Sequence, residues 1–178
     1  RMGGVDKGLV PLAGRPLVAH VLERLAPQVG AIVVNANQNR DRYAVFGHPV
    51  VADEVGGFAG PLAGLHAGMT AATTPYAVTV PCDSPFLPGD LVARLAAGLE
   101  REGAQIAVAR TFAQPHPVFA LVDRRVLPHL TAFLAGGGNI YLAGRTESTN
   151  LPGLTLDRQS AYGGGSFDGF VMRVDGRQ

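Results

Sequence analysis

The sequence has little of three features that mark large classes of proteins. It holds one cysteine, Cys82, so no disulfide can form within the chain and a reducing compartment is favoured. Its formal net charge of +1 leaves no excess of basic side chains for binding a nucleic-acid backbone. No apolar run approaches the roughly 18 residues of a membrane span, and no secretory leader is recognisable. We therefore predict a cytoplasmic protein with neither nucleic acid nor a membrane as a partner.

Several catalytic patterns are also missing. The absence of G-x-x-x-x-G-K-[ST] excludes a Walker loop, and the absence of G-x-S-x-G excludes the nucleophile elbow of hydrolases. Neither H-E-x-x-H nor a paired C-x-x-C supports a zinc site. Because no matching His and Asn pattern accompanies Cys82, we predict that it is a buried small side chain rather than a nucleophile.

Hydrophobic residues and glycine are plentiful. Hydrophobic residues make up 47% of the chain and charged residues 16%, which is enough for a substantial core and predicts one domain over residues 1–178. Glycine occupies 24 of 178 positions, or about 13% against a usual ~7%, and so indicates many tight loops. The pattern weakens over residues 135–178, where we expect loops with one or two short strands.

Apolar periodicity predicts strands that alternate with helices. This alternation predicts an α/β fold with three layers, in which a Rossmann-like, mostly parallel sheet is covered by helices on both faces. The predicted strands cover residues 31–35, 48–53, 105–109 and 117–122 and the start of 76–85, and the predicted helices cover residues 17–25, 60–72, 89–100 and 123–134.

The opening loop carries the first candidate site residue. Lys7 follows two glycines, and exposed backbone N–H groups beside an ammonium would hold a phosphate chain. The alternative is a solvated loop lysine. Arg1 is a candidate second cation, although an arginine at a chain end is commonly exposed to solvent.

Polar side chains at the ends of predicted strands form the second group of candidates. Asp83 directly follows an apolar strand, where a carboxylate would be well placed to hold Mg²⁺ together with phosphate oxygens and water. Its alternative role is to close a turn after the strand. Asn35 and Asp53 also end strand-like segments, where turn formation or helix capping are the alternatives. With Asp83 they would line one edge of the sheet, where α/β proteins bind ligands.

Six segments occur in an order that resembles one known family. They are RMGGVDKGLVPLAGRPL at 1–17, VVNAN at 33–37, VVADE at 50–54, GPLAG at 60–64, PCDSPFL at 81–87 and HPVFALV at 116–122. Together they resemble the molybdenum cofactor guanylyltransferase family, MobA, which joins GMP to molybdopterin. The resemblance extends from Arg1 to about Leu134.

This resemblance implies a nucleotidyltransferase fold and assigns roles. Lys7 matches the triphosphate-binding lysine, and Asp83 matches the ligand of a Mg²⁺ cofactor. Asn35 and Asp53 match nucleotide contacts. The resemblance assigns no role to Arg1, which stays a candidate catalytic cation because of its place in the opening loop. The implied substrates are GTP and molybdopterin, and the implied partners are proteins that deliver molybdopterin and proteins that mature molybdoenzymes, in transient contacts.

Both ends of the sequence depart from the family pattern. The family has a strand and an L-A-G-G segment before the residue that matches Arg1, so we expect further residues upstream that complete the nucleotide loop. Its C-terminal F-x-N-[VI]-N-T-P segment has no counterpart in FVMRVDGRQ, and pterin contacts are therefore not assigned. Two alternatives stay open: a cytidylyltransferase of the same fold acting on molybdopterin or on a sugar or polyol phosphate, and a catalytically silent nucleotide-binding domain.

Overall fold

The structure, a computed structural model, describes residues 6–53, 61–112, 114–136, 140–146 and 168–174. The chain divides into two compact units, residues 1–128 and 129–178. That residues 1–178 form one nucleotidyltransferase domain stays a prediction. Within the described ranges, no helix combines the length and apolar character needed to cross a membrane.

Helices and strands alternate along much of the described chain. The helices are α1 (Leu17–Leu25), α2 (Arg40–Ala44), α3 (Pro61–Ala71), α4 (Leu91–Glu102) and α5 (Leu127–Leu134). The strands are β1 (Pro11–Leu12), β2 (Arg15–Pro16), β3 (Val34–Asn35), β4 (Val50–Val51), β5 (Tyr76–Thr79), β6 (Ile106–Thr111), β7 (Gln114–Asp123), β8 (Ile140–Thr146) and β9 (Asp168–Val174).

Helix α1 supplies apolar residues to two clusters of the core. It begins directly after Pro16, and its buried residues recur at the helical spacing that the sequence predicts. One side joins a cluster of Val18, Leu22, Val34, Ala36 and Tyr43. The other side joins a cluster of Val21, Leu87, Leu91, Leu95, Leu99 and Leu121, to which α4 contributes a leucine on successive turns. The predicted amphipathic helices over residues 17–25 and 89–100 are thus confirmed.

Strands β3 and β4 form a parallel pair that ends in polar residues. Val34 pairs with Val50 and Asn35 pairs with Val51. The ladder is shorter than predicted because Pro49 has no N–H to donate, although its carbonyl accepts from the Val34 amide at 2.9 Å. Because both strands run in the same direction, Asn35 and the nearby Asp53 lie at the same edge, as predicted. Asp83 follows β5, which belongs to a separate sheet of the described strands, so the predicted single edge shared by all three residues is not formed.

The three-stranded sheet corrects one part of the predicted topology. Its order is β5-β7-β6, and β7 runs antiparallel to both neighbours, so the described strands do not form a mostly parallel sheet. The cause is the short connection after β6, since Thr111 pairs directly with Gln114 and a parallel crossover needs a dozen or more residues. Exposed Phe112 occupies this turn with a φ of 53°.

The second unit contains the strands expected in the weakly patterned part of the sequence. Strands β8 and β9 pair antiparallel, from Ile140 opposite Val174 to Thr146 opposite Asp168. The expectation of one or two short strands within residues 135–178 is confirmed, with two strands of seven residues each.

Candidate active site

Lys7 stands on a tight turn whose interior position only glycine fits. A 3-10 turn covers Lys7–Leu9, and the Leu9 amide donates to the Asp6 carbonyl at 3.1 Å. Gly8 is buried, and a Cβ at this position would lie 2.5 Å from the Tyr43 hydroxyl oxygen and 2.9 Å from Cys82 Sγ. A side chain at residue 8 would therefore displace the turn that carries Lys7.

Lys7 is chemically unique in this chain. It is the one lysine among 15 basic residues, all the others being arginine. A lysine ammonium is a compact point charge with three rotatable donors, whereas arginine presents a wide planar fork. Its exposed side chain is free to reach a phosphate group beside the turn.

The structure brings Lys7 and Asp83 together, although the sequence assigns them to separate tasks. Lys7 Nζ lies 3.6 Å from Asp83 Oδ2, and the two side chains are 58% and 33% exposed. An ion pair this exposed contributes at most about 1 kcal/mol to stability. Both charges can therefore exchange their partner for a bound ligand at little cost.

Asp83 is presented by a turn that follows β5. The Ser84 amide donates to the Pro81 carbonyl at 3.4 Å, so a backbone hydrogen bond closes this turn.

The prediction that neighbouring Cys82 is buried is wrong, because the turn leaves the residue exposed at the surface. Desolvation around the sulfur, and then the charges of Asp83 and Asp6, raise the pKa of the Cys82 thiol. The thiol stays protonated at neutral pH, which disfavours a nucleophilic role.

Asn35 and Asp53 form a second polar cluster with a residue that the sequence analysis missed. Asn35 Nδ2 donates to Asp53 Oδ1 at 2.9 Å, and Asn37 Nδ2 donates to Asp53 Oδ2 at 2.8 Å. The Asp53 amide returns a hydrogen bond to Asn37 Oδ1 at 2.8 Å. The spacing of two residues in N-A-N is the signal that could have identified Asn37, because alternate residues of an extended segment share one face.

Helix α3 approaches this cluster through a glycine. A Cβ at Gly64 would lie 2.6 Å from Asn35 Oδ1 and 3.8 Å from Asp53 Oδ1. Gly68, one helical turn further along, has no atom within 4 Å of the corresponding position. The GPLAG segment therefore needs its last glycine for the approach of α3 to Asn35.

Gly64→Ala is expected to disturb the predicted nucleotide contacts without unfolding the protein. The added methyl group must displace the Asn35 amide, so we expect the KM for the nucleotide to rise about tenfold, the size of one weakened hydrogen bond to a charged group. Steady-state kinetics measure the effect. Gly68→Ala is the matched control on the same helix, where alanine raises helix propensity by up to about 1 kcal/mol. Equal KM values in the two variants would contradict the prediction.

A third cluster fixes the residue that precedes Lys7. Asp6 Oδ1 accepts from the Tyr43 hydroxyl at 2.5 Å, and Asp6 Oδ2 accepts from Asn39 Nδ2 at 3.0 Å. Burial, followed by the Asp6 carboxylate, raises the pKa of Tyr43, so its phenol remains a donor at all physiological pH values. Sequence reasoning missed these residues because they lie 33 and 37 positions from Asp6, with no local pattern linking them.

Asp83 fits a metal ion that shares its ligands with a nucleotide. In residues 6–53 and the other described ranges, no three His, Cys, Asp or Glu side chains converge as a metal-binding group. Mg²⁺ needs as few as one or two protein carboxylates and completes its octahedron with phosphate oxygens and water. A single partly exposed carboxylate suits that chemistry and does not suit a metal site whose ligands all come from the protein.

Arg1, the other predicted catalytic residue, lies outside the described residues.

Comparison with known proteins identifies the family. Residues 1–148 match the family described as the MobA-like NTP transferase domain. The molybdenum cofactor guanylyltransferase of Cupriavidus taiwanensis is 53% identical over 143 residues, which cover 78% of this chain and 72% of that protein. The chain belongs to the MobA-like NTP transferase family. The protein of the same name from Shewanella putrefaciens is 48% identical over 162 residues, covering 91% of this chain and 83% of that protein.

Solved structures confirm that this MobA-like transferase has a nucleotidyltransferase fold of the α/β class. Molybdopterin-guanine dinucleotide biosynthesis protein A from Archaeoglobus fulgidus superposes with a TM-score of 0.60 at 22% identity, covering 77% of this chain and 69% of that one. CMP:2-keto-3-deoxy-manno-octonic acid synthetase, solved with CTP, superposes with a TM-score of 0.55 at 17% identity, covering 71% of each chain. The family and fold that the six motifs predict are confirmed.

Proposed function

We propose that this MobA-like transferase moves GMP from GTP to the terminal phosphate of molybdopterin. An oxygen of that phosphate attacks the α-phosphorus, a new P–O bond forms, and the bond from the α-phosphorus to the bridging oxygen breaks so that pyrophosphate leaves. The attacking phosphate is already anionic at neutral pH, so no general base is required. The single observation that carries the proposal is the ion pair between Lys7, on its glycine-containing turn, and Asp83 after β5, in a chain 53% identical to a guanylyltransferase.

Lys7 meets the main electrostatic demand of this reaction. Two anions must approach each other, and a fixed cation beside the triphosphate lowers their repulsion and stabilises the charge that gathers on the leaving group. Because Gly8 has no side chain, the Lys7 turn can lie close to Cys82, and the ammonium lies 3.6 Å from Asp83 Oδ2. Removing one such preorganised charge typically costs a factor of about 10²–10³ in rate.

Asp83 is the residue that would hold Mg²⁺ in this proposal. Bound there, Mg²⁺ would screen the phosphate charges and help to align the α-phosphorus for in-line attack. Asp83 would then no longer pair with Lys7, and the lysine would be available for the phosphate chain. Because the pair is weak and exposed, Asp83 is available for the metal ion and Lys7 is available for the phosphate chain.

The Asn35–Asp53 cluster is the proposed contact to the nucleoside. Its two amides already hold the carboxylate in one orientation, so little ordering remains when a ligand binds. Guanine presents N1–H and N2–H₂ donors beside an O6 acceptor, and small residues in GPLAG allow backbone groups to come near such an edge. A base with a different pattern would leave polar groups unpaired at about 1–3 kcal/mol each.

The proposed function is consistent with a cytoplasmic location, because the one cysteine of the sequence carries a free thiol, as is common in a reducing compartment.

Two alternative functions, a cytidylyltransferase and a silent nucleotide-binding domain, differ from the proposed one in the nucleotide that is bound and turned over. The likeness to a synthetase solved with CTP shows the fold alone, and a cytidylyltransferase would use the same lysine and aspartate. A silent binding domain would bind nucleotides without releasing pyrophosphate. The guanylyltransferase is favoured because relatives close in sequence carry that name and match most of the chain.

GTP is expected to be the productive nucleotide by a factor of about 10² or more over CTP and ATP. The measurement is pyrophosphate release in the presence of Mg²⁺ and molybdopterin, with the dinucleotide product identified by mass. A parallel preparation of the Lys7→Ala variant controls for contaminating transferases. Faster turnover with CTP would establish the cytidylyltransferase instead, and equal weak binding of GTP and CTP without turnover would establish the silent domain.

A further inference from the structure

Asp6 places its carboxylate in an unusual direction for a residue at the start of a helical turn. It occupies the N-cap position of the Lys7–Leu9 turn, where an aspartate side chain commonly accepts from the turn's own amides. Here its side chain makes no such capping bond and instead accepts from Tyr43 and Asn39. The Asp6 side chain therefore links the Lys7–Leu9 turn to Tyr43 of α2 and to Asn39, the residue before α2.

Tyr43 is a rigid partner for this carboxylate. The residue is 3% exposed, and its ring belongs to the core cluster that contains Val18 and Leu22. The hydroxyl is the part of the side chain that reaches the nucleotide loop, with Asp6 Oδ1 at 2.5 Å. A Cβ at Gly8 would also lie 2.5 Å from this hydroxyl, so the oxygen faces the turn on both sides of Lys7 and leaves no room for a side chain at residue 8.

We propose, resting on the function above, that the Tyr43 hydroxyl is a positioning group for Lys7. It holds Asp6, the residue before Lys7, and lies against Gly8, the residue after it, and so fixes where the lysine ammonium stands relative to Asp83 and a bound triphosphate. Tyr43 touches no reacting atom in this arrangement. Its effect on the reaction passes through the lysine.

The alternative is that Tyr43 only packs in the core. The Tyr43→Phe variant distinguishes this packing role from the proposed positioning of Lys7. Phenylalanine keeps the ring and its packing but loses the donor to Asp6. We expect kcat/KM for GTP to fall about tenfold, the size of a lost hydrogen bond to a charged group, with melting within a few degrees of wild type. Tyr76→Phe is the matched control, because Tyr76 is a half-exposed tyrosine on β5.

The double variant tests whether the effect passes through Lys7. If Tyr43 positions the lysine, Tyr43→Phe costs little further activity in a Lys7→Ala background. If Tyr43 acts on the fold in general, the two losses multiply, and that result would overturn the proposal. Unchanged kinetics in Tyr43→Phe alone would overturn it as well. Should Tyr43→Phe melt far below wild type, Asp6→Asn tests the same link from the other side of the hydrogen bond.

A measurement independent of catalysis uses the one lysine of this sequence. In protein labelled with 13Cε-lysine, the side-chain signal of Lys7 is identified by its loss in Lys7→Ala. Tyr43→Phe is expected to shift this signal, whereas Tyr76→Phe leaves it in place, and an unmoved signal in Tyr43→Phe overturns the positioning role. Wild-type protein that transfers no GMP would overturn the proposed function alone, because the lysine signal still decides the role of Tyr43.

Discussion

Lys7→Ala is expected to lower the turnover number with GTP by about 10²–10³. The variant removes the cation that would face the triphosphate, and no other lysine in the sequence can replace it. It should fold normally, because the lost pair with Asp83 is exposed and contributes at most about 1 kcal/mol. The measurement is pyrophosphate release at saturating GTP together with thermal melting.

Two further variants sharpen this result. Lys7→Arg keeps the charge but replaces a point charge by a planar fork, so its turnover should lie between those of wild type and Lys7→Ala. Arg15→Ala is the matched control for loss of a nearby positive charge, since Arg15 is exposed and pairs with Glu23 at 2.9 Å. Turnover close to wild type in Lys7→Ala, with unchanged melting, would rule out the assigned role.

Asp83→Asn is expected to lose most activity at ordinary Mg²⁺ concentration, by a factor of about 10². Asparagine keeps the size and one acceptor oxygen but removes the negative charge, which a hard divalent cation requires more than shape. Part of the activity should return at much higher Mg²⁺ or with Mn²⁺, because mass action offsets a weaker site. A metal titration of wild type and variant gives the measurement.

The structure makes this substitution a clean test of the alternative role. The turn at 81–84 is closed by a backbone hydrogen bond from the Ser84 amide to the Pro81 carbonyl, and the Asp83→Asn substitution leaves this hydrogen bond in place. If Asp83 only closes the turn, the metal titration curves of wild type and variant will superimpose. Asp90→Asn is the matched control, because Asp90 is exposed and pairs with Arg94 at 2.7 Å.

The sequence predicts well those site residues whose position follows from strand direction. Asn35 ends one strand of a parallel pair and Asp53 follows the other, and parallel strands bring their carboxyl ends to one edge. The glycines before Lys7 predict a loop, and the structure has a 3-10 turn over Lys7–Leu9. The assigned contacts of these residues with nucleotide and metal stay predictions.

Other features depend on contacts between distant positions and leave no local signal. Asp6 reads as an ordinary turn aspartate until the fold brings Tyr43 beside it. The antiparallel direction of β7 depends on how few residues follow Thr111, which apolar periodicity does not measure. Cys82 likewise is exposed because β5 ends at Thr79 and the chain turns after Val80, the last residue of this segment to pack against the core cluster.

The engagement of Asp6 by Tyr43 and Asn39 has a consequence for the order of events at the site. With both oxygens of that carboxylate already accepting hydrogen bonds, Asp83 is the carboxylate beside Lys7, among the residues that the structure describes, that remains for a cation. One carboxylate, already neutralised by an ammonium, has little attraction for a fully hydrated divalent ion. If Asp83 holds the metal as proposed, the nucleotide would bring that metal in as a preformed complex, so that cation and substrate would dock as one unit.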